Sequence, residues 1–368
     1  MRAAVVVVAV VLAAGRAEAF PQLTIRGQVA RCTMCHVSPG GGGMLNEYGR
    51  NEAGDTLSRG GDGRFLSGAW DPPDWLLLGG DLRAAALAYK DTQATEGTQL
   101  AAFPMQADLR AGVTAGGFTI VATGGLRGST RLYSKSASDY FESSEHYAMY
   151  MHDSGVYVRA GKFFPTFGLR LPDHTLYIAR YTGQDLFEEP YGGDAGYVGD
   201  DWEVHVAGFT RDPITKVGRD EAGGVLYAEL HGTDGAIGLS ARYGTGPEGA
   251  RAIAGLSARA KAPGNLVLLG ELDGIDELVT TSSGTTAVTQ AIGLVALDQQ
   301  LVRGVNLLGW YEQYEESLGL IGAIHHDAGL SLDLYLHAHW ELITEARYQH
   351  LGPGEHVGMG MFQVHYYL

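Results

Sequence analysis

Trp340-Glu341-Leu342-Ile343-Thr344-Glu345-Ala346-Arg347-Tyr348 is the stretch that decides the fold. In an extended strand, successive side chains point to opposite faces. Trp340, Leu342, Thr344, Ala346 and Tyr348 then share one face, and Glu341, Glu345 and Arg347 the other, with Ile343 an apolar exception. The stretch is amphipathic with period two and has an aromatic residue at each end. A membrane-spanning strand is built this way, with an apolar face for lipid and a polar face for a lumen.

The pattern repeats through the chain. Ala328, Leu330, Leu332, Leu334 and Leu336 alternate with Asp327, Gly329, Ser331, Asp333 and Tyr335. Ala252, Ala254, Leu256, Ala258 and Ala260 alternate with Arg251, Ser257, Arg259 and Lys261. Trp202, Val204 and Val206 alternate with Asp201, Glu203 and His205. A soluble sandwich also alternates. Sandwiches, however, bury large side chains, whereas here many outward positions are small, or aromatic near strand ends like an interfacial girdle. Strands are expected near 75–90, 98–114, 117–128, 145–152, 155–163, 191–199, 201–209, 223–231, 235–244, 250–261, 265–273, 286–297, 301–312, 323–336, 338–349 and 357–368. That makes about sixteen, an even number as bacterial barrels require. Short turns are expected at Gly116-Gly117, Asp153-Ser154, Asp200, Gly232-Thr233-Asp234, Ala262-Pro263-Gly264 and Asp298-Gln299-Gln300. Longer linkers fall at 129–144, 164–190, 210–222, 274–285 and 313–322. Short turns belong on the periplasmic side and long loops outside. The fold expected is mainly β, an antiparallel transmembrane β-barrel of about sixteen strands over residues 75–368, preceded by a small module at 20–74.

Residues 1–19 have the form of an export signal. Arg2 supplies the positive start, the stretch from Ala3 to Ala14 is apolar and uncharged, and Ala17-Glu18-Ala19 is a cleavage pattern that makes Phe20 the first exported residue. The run is short for a membrane span. Net charge is −16, which argues against nucleic acid as a partner.

The module carries the chemistry. Arg31-Cys32-Thr33-Met34-Cys35-His36 contains C-x-x-C-H, the attachment pattern of a c-type haem. Two thiols spaced this way reach one porphyrin edge, and the next residue, His36, is the proximal iron ligand. C-x-x-C also serves redox dithiols and half of a zinc site. Cys32 and Cys35 are the only cysteines, so a second zinc pair and a disulfide framework are both excluded. One haem c, held covalently, is the expected cofactor. A glycine run follows at 40–43, where backbone can pass close to a porphyrin face. Met44 is either the sixth iron ligand or a residue packed on the ring, and Leu45, Tyr48 and Leu57 are candidates to pack on it too. A module this small has little core of its own and must lean on haem and on the barrel.

Cys32-x-x-Cys35-His36, Pro39 and Leu45-Asn46-x-Tyr48-Gly49 together resemble the fused monohaem cytochrome–porins, over residues 32–50. The resemblance implies a bacterial outer-membrane protein with its haem module periplasmic or inside the lumen. It implies outer-membrane lipid, a periplasmic electron-transfer cytochrome, and an extracellular redox partner or metal ion as partners. The activity it implies is electron transfer across the outer membrane, including oxidation of extracellular ferrous iron. The glycine run departs from that pattern and leaves iron open as the substrate. Separately, Gly161-Lys162-Phe163-Phe164-Pro165-Thr166-Phe167-Gly168-Leu169 resembles a segment of phosphate-selective-type porins whose loop folds into the pore.

Other groups are weaker. His152, His231, His337, His339 and His365 fall near periplasmic strand ends, and inward-facing ones, His339 and His365 in particular, are candidates for a distal haem ligand. His325-His326 is a candidate metal pair at the outer rim, without a third ligand. Acidic stretches at 139–142, 185–189, 273–277 and 312–316 are expected in outer loops, where they serve solubility or concentrate cations. No catalytic triad, nucleotide loop or paired-carboxylate site is present. Two functions remain: electron transfer through a plugged barrel, or a porin for small solutes with a structural or regulatory haem domain. A haem enzyme such as a peroxidase is a third, and it needs a distal pocket.

Overall fold

A computed structural model describes residues 31–368, apart from 94–96, 128–140, 186–187, 215–217, 282–283 and 321, together with Leu23. The export signal lies outside the described residues, as do Asp139, Tyr140, Leu186 and Phe187 of two acidic stretches.

The chain forms one antiparallel sheet: β1 (Leu76–Asp91), β2 (Gln99–Ala115), β3 (Phe118–Arg127), β4 (Phe141–Glu142), β5 (His146–Met151), β6 (Val156–Lys162), β7 (Tyr191–Val198), β8 (Trp202–Thr210), β9 (Ala222–His231), β10 (Gly235–Gly246), β11 (Gly249–Ala262), β12 (Leu266–Thr281), β13 (Gly284–Val302), β14 (Val305–Glu315), β15 (Ile324–His337), β16 (Trp340–Gly352) and β17 (Glu355–Tyr367). Short helices α1 (Glu47–Glu52) and α2 (Tyr177–Thr182) accompany it among the described residues. Strand β4 pairs with β3 at Gly125 and Leu126, and β5 pairs with β3 from Phe118 to Ala122, so the two share one stave. The sheet therefore has sixteen staves. β1 pairs with β17 from Asp81–Tyr367 to Asp91–Val357 and closes it into a barrel. Closure leaves no unpaired sheet edge, which lipid would not tolerate. Pro104, with no N–H to donate, sits at a bulge where the β1–β2 register shifts between Arg83 and Ala84.

Two expected boundaries differ. Asp298-Gln299-Gln300 is not a turn: β13 runs on to Val302, and the turn is Arg303-Gly304. The expected linker 274–285 is mostly strand, because β12 continues to Thr281 and β13 starts at Gly284. Glycine and acids suggested a loop there. In fact the alternation continues, with Asp273 and Ile275 both turned inward and each 1% exposed.

The burial pattern is the reverse of a soluble protein's. Leu109, Phe118, Leu230 and Val295 are among the exposed residues, while Arg83, Arg110, Asp81, Glu229, Arg259, Asp327 and Arg347 are buried. The closed sheet puts lipid outside and ion pairs inside. Aromatic pairs mark the short-turn rim: Phe118 with Tyr150, Tyr197 with Trp202 and Trp340 with Tyr366, at ring separations of 4.6, 4.5 and 4.9 Å. This is the placement of an interfacial girdle. Trp340, Thr344, Ala346 and Tyr348 face outward and Glu341, Glu345 and Arg347 inward, as the deciding stretch required.

Residues 163–185 and 188–190, between β6 and β7, fold into the lumen. Phe167, Leu169, Leu171, Leu176, Tyr177 and Ile178 pack on an apolar patch of the inner wall that includes Ile253, Val267, Leu269, Ile275, Ile292 and Leu294. Wall carboxylates hold the loop's backbone. Leu169 N donates to Glu271 Oε2 at 2.7 Å, and Tyr177 N and Ile178 N donate to Glu312 at 2.9 and 3.2 Å. Gly168 is needed there, since its φ is 57° and a Cβ would run into the Glu271 carboxylate.

Candidate functional site

Cys32–Met34 form a single 3-10 turn, closed by Cys35 N donating to Cys32 O at 3.2 Å and His36 N to the same carbonyl at 2.9 Å. A short hairpin follows. His36 bridges Leu45, with Val37 N donating to Met44 O at 3.0 Å and Asn46 N to Cys35 O at 2.9 Å. Asn46 locks the two pieces together. Its Oδ1 caps α1 by accepting from Gly49 N at 2.8 Å, and its Nδ2 donates to Thr33 O at 3.1 Å and Met34 O at 3.0 Å. Gly49 lies against the Cys35 carbonyl, where any side chain would collide. Arg50 Nη1 donates to Leu45 O at 3.1 Å and reaches Leu78 O of β1 at 3.4 Å. The Leu45-Asn46-x-Tyr48-Gly49 stretch is thus the clasp of the C-x-x-C-H turn.

The segment sits in the short-turn mouth of the barrel. Arg31 pairs with Asp200 at 3.1 Å. Arg303 Nε donates to Ser58 O at 2.6 Å, Arg59 N to Tyr335 O at 2.9 Å and Ala338 N to Gly60 O at 2.7 Å. Deeper in, Arg159 Nη1 donates to Ser38 Oγ at 2.9 Å while the rest of its fork binds Asp194. Arg170 of the lumen loop donates to the Gly40 carbonyl, and to Gly41 O at 2.9 Å. The close approach that the glycine run permits is therefore to Thr166 and Arg170 near Gly40, and to Glu145 near Gly43. The module leans on the barrel, as its size required.

Cys32 and Cys35 are free thiols. Burial, with Glu203 adding to it, pushes the Cys32 thiol up to about 12. Burial, then Glu52, pushes Cys35 up to about 11. Burial and the nearby Arg170 push His36 down to about 4, so its imidazole is neutral near pH 7. Its Nδ1 is buried without a partner. A neutral imidazole with an unclaimed nitrogen is the form that ligates a metal. Two uncommitted thiols on one turn and this imidazole fit a c-type haem.

The other expected residues are scattered. Leu45 shares the hairpin face with His36, whereas β alternation puts Met44 with Val37 on the opposite face. Met44 is 2% exposed and packs on Val121, Tyr147, Met149 and Phe163 of the wall. Tyr48 is exposed. His365 has both ring nitrogens engaged, with Glu341 and Asp81 at 2.8 Å each. His339 likewise holds Tyr367 O and Arg64 O, at 2.8 and 3.0 Å. His152 is on an exposed turn beside Ser154, and His337 Nδ1 lies 3.0 Å from Ala338 O. His325 and His326 do not form a pair. His325 faces Tyr177 and Tyr314 inside, while His326 stacks on Tyr311 outside. Of the acidic stretches, Glu142, Glu189, Asp273 and Glu312 are buried, whereas Asp276 and Glu316 are exposed and Asp185, Glu188, Glu277 and Glu315 are half-buried.

Sequence reading missed a second cluster. Glu203, His205, Glu229 and His231 line the lumen near Cys32. The signal was available, since Glu-x-His occurs on both β8 and β9.

No protein-family model matches the sequence, and no curated protein matches it. Solved structures do. An anion-selective porin from Comamonas acidovorans superposes with a TM-score of 0.59 at 12% identity, covering 80% of this chain and 99% of that one. OprB of Pseudomonas putida gives 0.61 at 10% identity, with 80% and 94% covered. The outer-membrane channel DcaP of Acinetobacter baumannii gives 0.58 at 9% identity, with 80% and 97% covered. At such identities the likeness is one of fold. The chain is a porin-type β-barrel of the bacterial outer membrane.

Proposed function

We propose that the protein carries electrons across the outer membrane by way of a covalent haem c, held on Cys32 and Cys35 with His36 as the proximal ligand. What supports this reading is the seating of the C-x-x-C-H turn inside a barrel mouth, among residues that enclose it. When bound, the haem supplies one-electron chemistry. The chain's own part is to orient and to exclude. The Asn46 clasp fixes the spacing between the thiols and the imidazole. Burial and Arg170 keep His36 neutral, ready to ligate. The 31–70 segment in the mouth and residues 163–185 in the lumen narrow the barrel, so bulk solute has little room where electrons have a cofactor. The partners on this reading are an external reductant or oxidant and a soluble periplasmic cytochrome. Ferrous iron keeps only part of the acidic rim as support, because Glu142, Glu189, Asp273 and Glu312 are buried while Asp276 and Glu316 stay exposed. The likeness in fold to porins favours the other reading, a channel for small solutes with the haem segment as a structural part.

Haem staining of a denaturing gel tests the first step. Wild-type protein from a strain competent in haem attachment is expected to stain, and Cys35→Ala to lose the stain. An unstained wild-type band contradicts the proposal and leaves the solute channel.

A further inference from the structure

We propose that Glu203, Glu229 and His231 hold a first-row divalent transition-metal ion in the lumen, just inside the short-turn mouth. The inference does not depend on the haem.

The three side chains offer one ligand atom each, all within 4.8 Å of one another, and all three residues are buried. Two donors on one ion at about 2.0–2.2 Å cannot be more than about 4.4 Å apart. Closing from the observed spacing needs a shift of a few tenths of an ångström. Register explains the juxtaposition. Glu203 of β8 lies directly opposite Glu229 of β9, and both point inward. Like charges directly opposite are unfavourable on a sheet, and more so when buried. Arg259 donates to Glu229 and offsets one of them. Glu203 Oε2 is enclosed with no hydrogen-bond partner at all. A cation satisfies that oxygen.

His231 gives the sharper argument. Its Nε2 lies 3.2 Å from the Gly199 carbonyl, and its Nδ1 lies 3.2 Å from Glu229 Oε1. If Nε2–H donates to the carbonyl, the lone pair on Nδ1 faces a carboxylate oxygen, which is an acceptor only. An ion between them turns a repulsive contact into shared ligation. A ligating imidazole commonly donates its other N–H to a backbone carbonyl. The supports are in place too. Tyr227 donates to Glu229 Oε2 at 2.7 Å. His205 is held through Nδ1 by Tyr157 at 2.6 Å, and its Nε2, 3.3 Å from Glu203 Oε1, makes no hydrogen bond and is a further donor. Imidazole with carboxylate selects a transition ion over calcium or magnesium, which prefer oxygen alone. The way in is a cleft of about 550 Å³ between the N-terminal segment and the rim, whose wall includes Val198, Gly199 and Asp200.

Equilibrium dialysis with Zn²⁺ alone, on the full chain in detergent, tests this. About one ion per chain is expected, with the affinity of Glu203→Gln/His231→Gln reduced at least about 100-fold, beyond the loss typical of a supporting residue. Cys32→Ser/Cys35→Ser and His350→Gln/His356→Gln are expected to bind as wild type does, which separates the site from the C-x-x-C-H turn and from the outer-rim pair His350 and His356, whose Nδ1 atoms lie 3.2 Å apart at the far ends of β16 and β17. Heat-modifiable gel migration checks folding. If the double variant fails that check, His231→Asn alone carries the test, with a loss of at least about 10-fold expected. No stoichiometric Zn²⁺ in wild type, or a loss of binding in the cysteine or rim variant instead of the lumen variant, overturns the proposal.

Discussion

Replacing Asn46 by alanine is expected to release the C-x-x-C-H turn without unfolding the barrel. Three hydrogen bonds go at once: the cap on Gly49 N and the two donated to Thr33 O and Met34 O. A lost N-cap costs about 0.5–2 kcal/mol. Each side-chain hydrogen bond to a carbonyl contributes about 0.5–1.5 kcal/mol, less where water can replace the donor. The residues are half-buried, so the total falls near 2–3 kcal/mol, which is roughly 30- to 150-fold in the opening equilibrium. The readout is maleimide labelling of Cys32 in protein made without haem attachment, in a Cys35→Ser background. The seated thiol is protonated, because burial holds its pKa near 12, so labelling reports opening. Asn46→Asp keeps the capping acceptor but loses both donors, and is expected to fall between. If Asn46→Ala, with the barrel folded, labels within about threefold of the Asn46 protein, the clasp is not what holds the turn.

In protein made without haem attachment, the seating of the segment is expected to depend on acid. The folded-state pKa of His36 is depressed from 6.5 to about 4, so the seated ring refuses a proton that the released ring accepts, and seating weakens as pH falls from 6.5 towards 4. Hydrogen exchange at residues 44–50, corrected for intrinsic rate, checks this; equal protection at pH 7 and pH 4.5 contradicts it. Glu312→Gln is expected to raise exchange at the Tyr177 and Ile178 amides by roughly 10- to 100-fold, since a neutral amide holds two N–H groups less firmly than a carboxylate. Unchanged protection there would mean that apolar packing alone docks the loop. A cysteine at Leu318, in the exposed β14–β15 connection, is expected to label on intact cells, and one at Ser154 only after the outer membrane is permeabilised; the reverse inverts the topology.

The barrel was legible because period-two alternation needs no knowledge of partners. A strand such as Trp340 to Tyr348 shows its faces wherever it pairs. The misplaced boundaries came from reading acids as loop residues. In the lumen Glu277 and Glu312 are strand residues whose charge is met by Arg219 and by the Tyr177 and Ile178 N–H groups. The apolar inner patch at Ile253, Val267, Ile275 and Ile292 left its trace as breaks in alternation, like Ile343, but its cause is the lumen loop. The C-x-x-C-H pattern is local and was visible. Its clasp lies in the Leu45 to Gly49 stretch, and only the fold shows that Asn46 binds the turn and that Gly49 must have no side chain. Histidine assignments failed where they depended on contacts distant in sequence. The partners of His365, Glu341 and Asp81, lie on the strands to either side of it, β16 and β1, which are far apart in sequence. Glu203 and Glu229 needed the β8–β9 register before they became a pair.

The most direct measurement of the central claim places the purified protein in liposomes with a c-type cytochrome trapped inside and a membrane-impermeant reductant outside. Wild type is expected to reduce the trapped cytochrome while passing little ionic current in a planar bilayer, and His36→Ala to lose the reduction with its heat-modifiable barrel intact. Equal reduction by His36→Ala, or porin-like conductance in wild type with no reduction, contradicts the account and makes the protein a solute channel.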